Sequence, residues 1–170
     1  MSAFHPLIIK VIGRFVGIVA WLAVLNGAEA ATTTATFTVQ INVTSSCAII
    51  STATLDFGSQ AIFSSAITGQ TGLQVQCTSG MPYTIGLDQG TGPGATVGNR
   101  LMQNGGNTVS YSLYQDSSYT TVWGNTIGTD TVSFTGTGSN DAFTIYGRVP
   151  PQATPVAGMY TDTITVTVTY

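Results

Sequence analysis

The sequence predicts an almost purely β domain, built as an antiparallel sandwich, with a closed barrel as the alternative. Threonine, which is β-branched and favours strands, supplies 29 of the residues from 31 to 170. Glutamate and lysine are common on the surfaces of helices, and both are absent from residue 31 onward, which argues against helices. About eight short apolar runs are separated by turn-forming residues, the spacing typical of a sandwich.

The first thirty residues are predicted to be a secretory signal peptide and not part of this fold. Lys10 and Arg14 precede an uncharged apolar run, which is followed by the cleavage motif Ala28-Glu29-Ala30. The apolar run covers residues 15–25, whereas a membrane-spanning helix needs about 20 residues. We therefore expect cleavage after Ala30 and no membrane insertion of the mature chain. An uncleaved anchor is the alternative.

The few charged residues exclude several classes of function. Residues 31–170 hold two arginines and six aspartates, hence a formal net charge of −4. Nucleic acids and anionic membranes both require clustered basic residues, which Arg100 and Arg148 cannot supply. The only histidine, His5, lies in the signal peptide, so the serines lack a catalytic base and zinc lacks ligands. We therefore expect that the protein is not an enzyme and that it binds no metal, no cofactor and no nucleic acid.

Cys47 and Cys77 are the only cysteines of the chain. Two cysteines in an exported protein indicate one disulfide, since the compartment is oxidising. In the chain-entropy model such a bond stabilises the fold by roughly 3–4 kcal/mol. Two buried free thiols are the alternative.

The individual strands are predicted from a two-residue period of apolar side chains. The first strand precedes the disulfide and carries its apolar face on Phe37, Val39, Ile41 and Val43. Further candidate strands follow at residues 48–57, 73–77, 83–87, 108–114, 119–123, 131–134 and 142–149. The last candidate, residues 160–170, is the most regular, because threonines alternate with its apolar face, formed by Ile164, Val166, Val168 and Tyr170.

Turn-forming residues separate these runs. Residues 89–94 and 104–107 are rich in glycine and asparagine, which predicts loops with positive φ. Prolines in residues 149–155 predict a loop or a sheet edge, since proline cannot donate a ladder hydrogen bond. A glycine-rich run at residues 90–94 lacks the lysine and helix of a phosphate loop, so we interpret it as a turn.

The first and last strands are unusual because neither carries the lysine, proline or bulge that normally protects an exposed edge. Such strands can pair with another chain. Alternatively, both lie within the sheets of their own domain.

Aromatic residues offer one further candidate site. Trp123, Tyr111 and Tyr114 form a candidate sugar-stacking patch, although packing in the core is the more common use of such residues.

Short motifs in a fixed order resemble the spore coat U domain family, the pilin type of the archaic chaperone–usher pathway, which includes Csu-type pilus subunits. The motifs are residues 37–47 (FTVQINVTSSC), 55–58 (LDFG), 75–77 (VQC), 83–87 (YTIGL), 100–102 (RLM), 111–114 (YSLY), 123–124 (WG), 146–150 (YGRVP) and 157–170 (AGMYTDTITVTVTY).

The resemblance implies an immunoglobulin-like sandwich that lacks its last strand and is completed by a donor strand from another subunit. It divides the chain into a signal peptide (1–30), an N-terminal donor-strand extension (31–46) and a pilin sandwich (47–170). The apolar face of the first strand would fill a groove in a neighbouring subunit. The apolar face of the last strand would lie beside this subunit's own groove.

The resemblance also implies partners and a location. The partners would be a periplasmic chaperone, an outer-membrane usher and neighbouring subunits of a fibre, and the route would lead through the periplasm to the cell surface. The implied function is a structural subunit of a pilus or coat fibre that supports adhesion and biofilm formation. A spore or cell coat protein and a tip adhesin that binds a surface ligand are the alternatives.

Overall fold

The computed structural model describes residues 29–170, so the predicted signal peptide lies outside the described residues apart from its last two. The chain divides into two units, residues 1–40 and residues 41–170. Residues 29–40, the described part of the first unit, contain no strand. The second unit contains all the strands of the described chain: β1 Cys47–Thr52, β2 Ile67–Cys77, β3 Pro82–Leu87, β4 Arg100–Asn104, β5 Asn107–Tyr114, β6 Val132–Thr135, β7 Asn140–Val149 and β8 Val166–Thr169.

The strands form two antiparallel sheets. The larger sheet has the order β1-β2-β7-β5-β4, and the smaller has the order β6-β3-β8. The described residues contain no helix. The predicted all-β antiparallel sandwich is therefore confirmed.

The core lies between the sheets and is supplied by alternate residues of the strands. In β5 and β7, for example, every second side chain is buried while its neighbours face outward. The Trp123 indole N–H donates to the carbonyl of Ile85 at 2.9 Å, which satisfies the one polar group of that large side chain. The buried apolar residues are Leu73, Val75, Cys77, Tyr83, Ile85, Leu87, Val109, Tyr111, Leu113, Trp123, Ile145 and Val149.

The predicted disulfide is present. Cys47 and Cys77 are bonded, and they are also register partners at adjoining ends of β1 and β2. The bond therefore ties the edge strand β1 to the centre of the larger sheet.

Thiol titration of the purified full chain checks this bond. We expect no reactive thiol under denaturing, non-reducing conditions and two after reduction, because both cysteines are paired. Two reactive thiols before reduction would show that the cysteines are free.

Two predicted strands differ from the structure because of long-range contacts. β2 begins at Ile67, six residues before the predicted start, and its glycine-containing first half pairs fully with β7. Gly69 and Gly147 face each other there, and a Cβ on Gly147 would lie 2.8 Å from Leu55 and 2.9 Å from Phe57. The glycines leave space for residues 55–57 to lie against the sheet.

The other differences lie at loops and strand ends. The predicted strand 119–123 is wrong: Tyr114 and Val122 form only an isolated bridge, and the carboxylate of Asp116 accepts backbone hydrogen bonds that fold the segment into a loop. The pairing of β4 with β5 was not predicted. β1 ends at Thr52 and β8 begins only at Val166, so both are shorter than the predicted runs.

Candidate functional site: an open groove and two unpaired strand edges

Two strands, β1 and β8, each have a free edge, and the segments that follow β1 and precede β8 along the chain line the candidate site. Within residues 29–170, β1 pairs only with β2, and β8 pairs only with β3. β1 and β8 contact each other without forming a ladder. Backbone N–H and C=O groups on both edges are therefore open to another strand.

The last strand presents its apolar face to the core. Ile164, Val166 and Val168 are half-buried and pack against the core residues, while the threonines between them are exposed. Tyr170 differs, because it is 63% exposed and lines a shallow depression on the smaller sheet with Ile127 and Phe134. The structure thus brings three of the four predicted residues together beside the core.

A groove of about 700 Å³, with both polar and apolar walls, is lined by the segments that lie between these strands and their neighbours along the chain. One wall, residues 55–63, continues from β1, and the other, residues 154–160, leads toward β8. Its floor includes the core residues Val109 and Val149. The side chains of the walls remain partly or largely exposed, and Met159 reaches 82%. Its apolar lining consists of Leu55, Phe57, Ala61, Phe63, Ile67, Met102, Val109, Pro155, Val149, Val156, Ala157, Met159 and Tyr160.

The four residues predicted as a donor strand form no strand in the structure. In the first unit, Phe37 and Val39 are 87% and 82% exposed. In the second unit, Ile41 and Val43 are 87% and 72% exposed, so they are not part of its core. The chain is anchored just after them, where Ser46 and Thr78 exchange hydrogen bonds at 3.0 Å beside the disulfide.

Polar contacts hold the segment that leads into β8. The Tyr111 hydroxyl donates to one oxygen of the Asp162 carboxylate at 2.8 Å, and Thr91 donates its backbone N–H and hydroxyl to the other. Burial raises the pKa of Tyr111 above its usual value, and Asp162 adds to this rise. The ring of Phe57 meets Tyr111 edge-on at 6.2 Å, so the same tyrosine supports both walls of the groove.

Asp88 extends the pairing of β3 with β8. It exchanges hydrogen bonds with Thr165, whose N–H donates to the carboxylate at 2.9 Å and whose carbonyl accepts from the Asp88 N–H at 3.1 Å. Burial tends to raise the pKa of Asp88, but hydrogen bonds from Thr165 and Gly90 outweigh it and hold the pKa below its usual value. Asp88 thus remains charged and fixes the start of β8.

Sequence reasoning missed the role of Arg100. This side chain is fully buried, and its guanidinium donates to four backbone carbonyls: Asp88 at 2.8 Å, Val97 at 2.7 Å, Leu87 at 3.0 Å and Trp123 at 2.8 Å. Burial lowers its pKa, and the charges of nearby aspartates act against that shift. Arg100 therefore joins the end of β3, the β3–β4 loop and the loop after β5. The signals in the sequence were the scarcity of cations and the place of Arg100 in the motif at residues 100–102.

The predicted sugar-stacking patch is wrong as a set. Trp123 and Tyr111 are 1% and 5% exposed and belong to the core, so the alternative of core packing is confirmed for both. Tyr114 lies instead on the outer face of the larger sheet.

Two kinds of feature are absent from residues 29–170. No group of three or more His, Cys, Asp or Glu side chains lies together in a way that could hold a metal ion. That range also lacks a helix with the length and apolar character needed to cross a membrane.

Comparisons with known proteins agree with this geometry. The family model described as "Spore Coat Protein U domain" matches residues 33–167. "Protein U" of Myxococcus xanthus is 37% identical over 166 residues, which cover 89% of this chain and 92% of that protein. A chain in the crystal structure of the CsuC–CsuE chaperone–tip adhesion subunit pre-assembly complex, from archaic chaperone–usher Csu pili of Acinetobacter baumannii, has the same fold at 23% identity, with a TM-score of 0.56. The match covers 75% of this chain and 40% of that one.

Proposed function

Because the chain belongs to the Spore Coat Protein U domain family, we propose that it is a structural subunit of a surface pilus or coat fibre. It is exported through the periplasm, held there by a chaperone, and joined to neighbouring subunits at an outer-membrane usher by donor-strand complementation. Fibres of this kind support adhesion and biofilm formation. The observation that carries the proposal is an open groove over the core, lined by residues 55–63 and 154–160, in a sandwich whose strands β1 and β8 each keep an unpaired edge.

The N-terminal extension has the properties of a strand that completes such a groove in another subunit. Residues 37–43 alternate apolar and polar side chains and would span about 20 Å when extended, at 3.3 Å per residue. In β-strand addition, backbone hydrogen bonds give affinity and alternate side chains in pockets give specificity. A chaperone strand occupies the groove first, and the extension of the next subunit replaces it.

The expected energies make this exchange feasible. Burying four such apolar side chains contributes roughly 6–12 kcal/mol. Loss of translational and rotational freedom opposes it by about 4–15 kcal/mol. Backbone hydrogen bonds, each worth about 1 kcal/mol net, then decide the balance. The open edges of β1 and β8 provide the partners for those bonds.

A gel of unboiled surface material tests the proposal. We expect a ladder of multimers from cells that make the full chain, and its collapse to a monomer band on boiling, because strand-completed sandwiches separate only when they unfold. A variant that lacks residues 31–46 is the control and should give no ladder. A lone monomer band from the full chain would contradict fibre assembly.

A coat layer, as opposed to a pilus, is the second candidate for the fibre. The description of the matching family names a spore coat, and Protein U is similar to this chain over nearly its whole length. Electron microscopy of producing cells distinguishes the two, since a pilus projects from the cell and a coat layer surrounds it.

A further inference from the structure

The outer face of the larger sheet carries a group of tyrosines around one arginine. Tyr114 of β5 and Tyr146 of β7 are register partners, and Arg148 lies two residues further along β7. Tyr119, from the loop after β5, meets the ring of Tyr114 edge-on at 5.6 Å. The guanidinium carbon of Arg148 lies 5.6 Å from the centre of the Tyr119 ring. We call these four residues the tyrosine platform.

The platform faces away from the core. Tyr146 and Arg148 alternate along β7 with Ile145, Gly147 and Val149, all of which are buried on the other side. Tyr114 likewise follows the buried Leu113. The platform is therefore a half-buried aromatic surface on the outside of the sandwich, separate from the groove.

The backbone at Tyr119 is held in an unfavourable conformation. Its φ is 58°, and it is the only residue other than glycine with positive φ among residues 29–170. Asp116 maintains this loop, because its carboxylate accepts hydrogen bonds from the N–H groups of Ser118, Thr120 and Thr121 at 2.7–3.2 Å. Such strain occurs mainly at binding sites, where it fixes a side chain in advance. Here it places an aromatic ring over Arg148.

Arg148 is the accessible cation of this surface. Residues 29–170 contain no lysine and only two arginines, and Arg100 is fully buried with its donors on carbonyls. The Arg148 guanidinium makes no hydrogen bond or salt bridge to any described residue. Its planar group of donors fits a carboxylate in a bidentate manner, and the ring of Tyr119 excludes water from one side of it.

We propose that the tyrosine platform binds a polysaccharide at a single uronate residue, because Arg148 is the one accessible cation among residues 29–170 and pairs with one carboxylate only. The C–H face of a pyranose ring packs on the face of a tyrosine ring, while its carboxylate pairs with Arg148. Gln70, exposed on β2 beside Tyr146, supplies an amide for the sugar hydroxyls. The platform lies on the outer face of a sheet, which suits an extended chain of sugars better than a small molecule that needs an enclosed pocket.

Titration of the full chain with a galacturonate oligomer tests the proposal, with neutral dextran and polyglutamate as comparison probes. We expect binding of the galacturonate oligomer, and at least tenfold weaker binding after Arg148→Gln or Tyr119→Asn. Asparagine tolerates positive φ, so the second variant removes the ring and keeps the loop. Circular dichroism verifies that both variants are folded.

Two glutamines on the same face of β2 give a matched pair of variants. Gln70 pairs with Tyr146, whereas Gln74 pairs with Ala142, outside the platform. Gln70→Ala should weaken binding several-fold, and Gln74→Ala should leave it unchanged.

Several results would overturn the proposal. The first is that the natural chain does not bind the galacturonate oligomer, or binds dextran or polyglutamate as tightly as that oligomer. The second is that the Arg148→Gln variant binds the galacturonate oligomer as tightly as the natural chain does. Loss of the multimer ladder in the Arg148→Gln variant would also overturn it, since the platform would then be an interface between subunits. Binding is measured on the isolated chain, so failure of fibre assembly alone leaves this inference intact.

Discussion

Replacing Ile41 by aspartate is expected to abolish fibre assembly while leaving the complex of subunit and chaperone intact. Ile41 is 87% exposed and is not part of the core of its own unit, so its loss does not damage that core. In the groove of a neighbouring subunit, a buried carboxylate without a partner costs at least about 3 kcal/mol, which corresponds to a hundredfold loss of affinity. The measurement compares the periplasmic complex with fibre on the cell surface.

Gln40→Asp is the matched control, because it introduces the same charge on the polar face of the same segment. It should assemble nearly as well as the natural chain. Val166→Asp is the comparison in which the complex of subunit and chaperone should itself be lost. Val166 packs against the core and belongs to β8, so its substitution should remove the subunit before assembly. If Ile41→Asp lost the chaperone complex as completely as Val166→Asp, the extension would act within its own domain, and donor-strand exchange would be wrong.

Replacing Arg100 by methionine is expected to unfold the domain. Methionine has a similar length, but it leaves four carbonyl oxygens without their donor. Each buried polar group that loses its partner costs about 1–3 kcal/mol, and a whole domain is stable by only about 5–15 kcal/mol. The free energy of unfolding, measured with urea on the full chain, should fall by at least about 4 kcal/mol on this basis.

Two further variants separate the role of Arg100 from a general effect of charge. Arg148→Met removes the half-buried arginine of the outer face, whose one described interaction is with the Tyr119 ring, and should lower the free energy of unfolding by no more than about 1 kcal/mol. Arg100→Lys keeps the charge, but one ammonium group cannot reach all four carbonyls. We therefore expect a loss of stability between those of Arg100→Met and Arg148→Met. Equal stability of the Arg100→Met variant and the natural chain would show that these carbonyls find other partners.

Local patterns in the sequence were sufficient for the fold class and for several individual strands. Side chains alternate across a strand, so a two-residue period predicts a strand whatever its neighbours are. β3, β5 and β7 therefore lie close to their predicted positions. The disulfide could also be predicted, because the exported part of the chain has only two cysteines.

The parts of the structure that depend on distant residues could not be predicted in this way. The first half of β2 contains glycines that weaken a strand signal, yet its full pairing with β7 makes it a strand. Arg100 is buried because carbonyls at residues 87, 88, 97 and 123 meet around it. No pattern among neighbouring residues of the sequence indicates that these carbonyls come together.

The sequence by itself therefore determined that this chain is an all-β domain with one disulfide, and it predicted a regular apolar pattern near each end, of which only the last forms a strand in the structure. Only the tertiary structure decided which edges remain unpaired, where the groove opens, and which tyrosines surround Arg148 on the outer face. The physical reason is the separation in the sequence of the residues that interact. The two-residue period and the cysteine count are properties of neighbouring residues and composition, whereas an open edge or a binding surface is created by segments far apart in the chain.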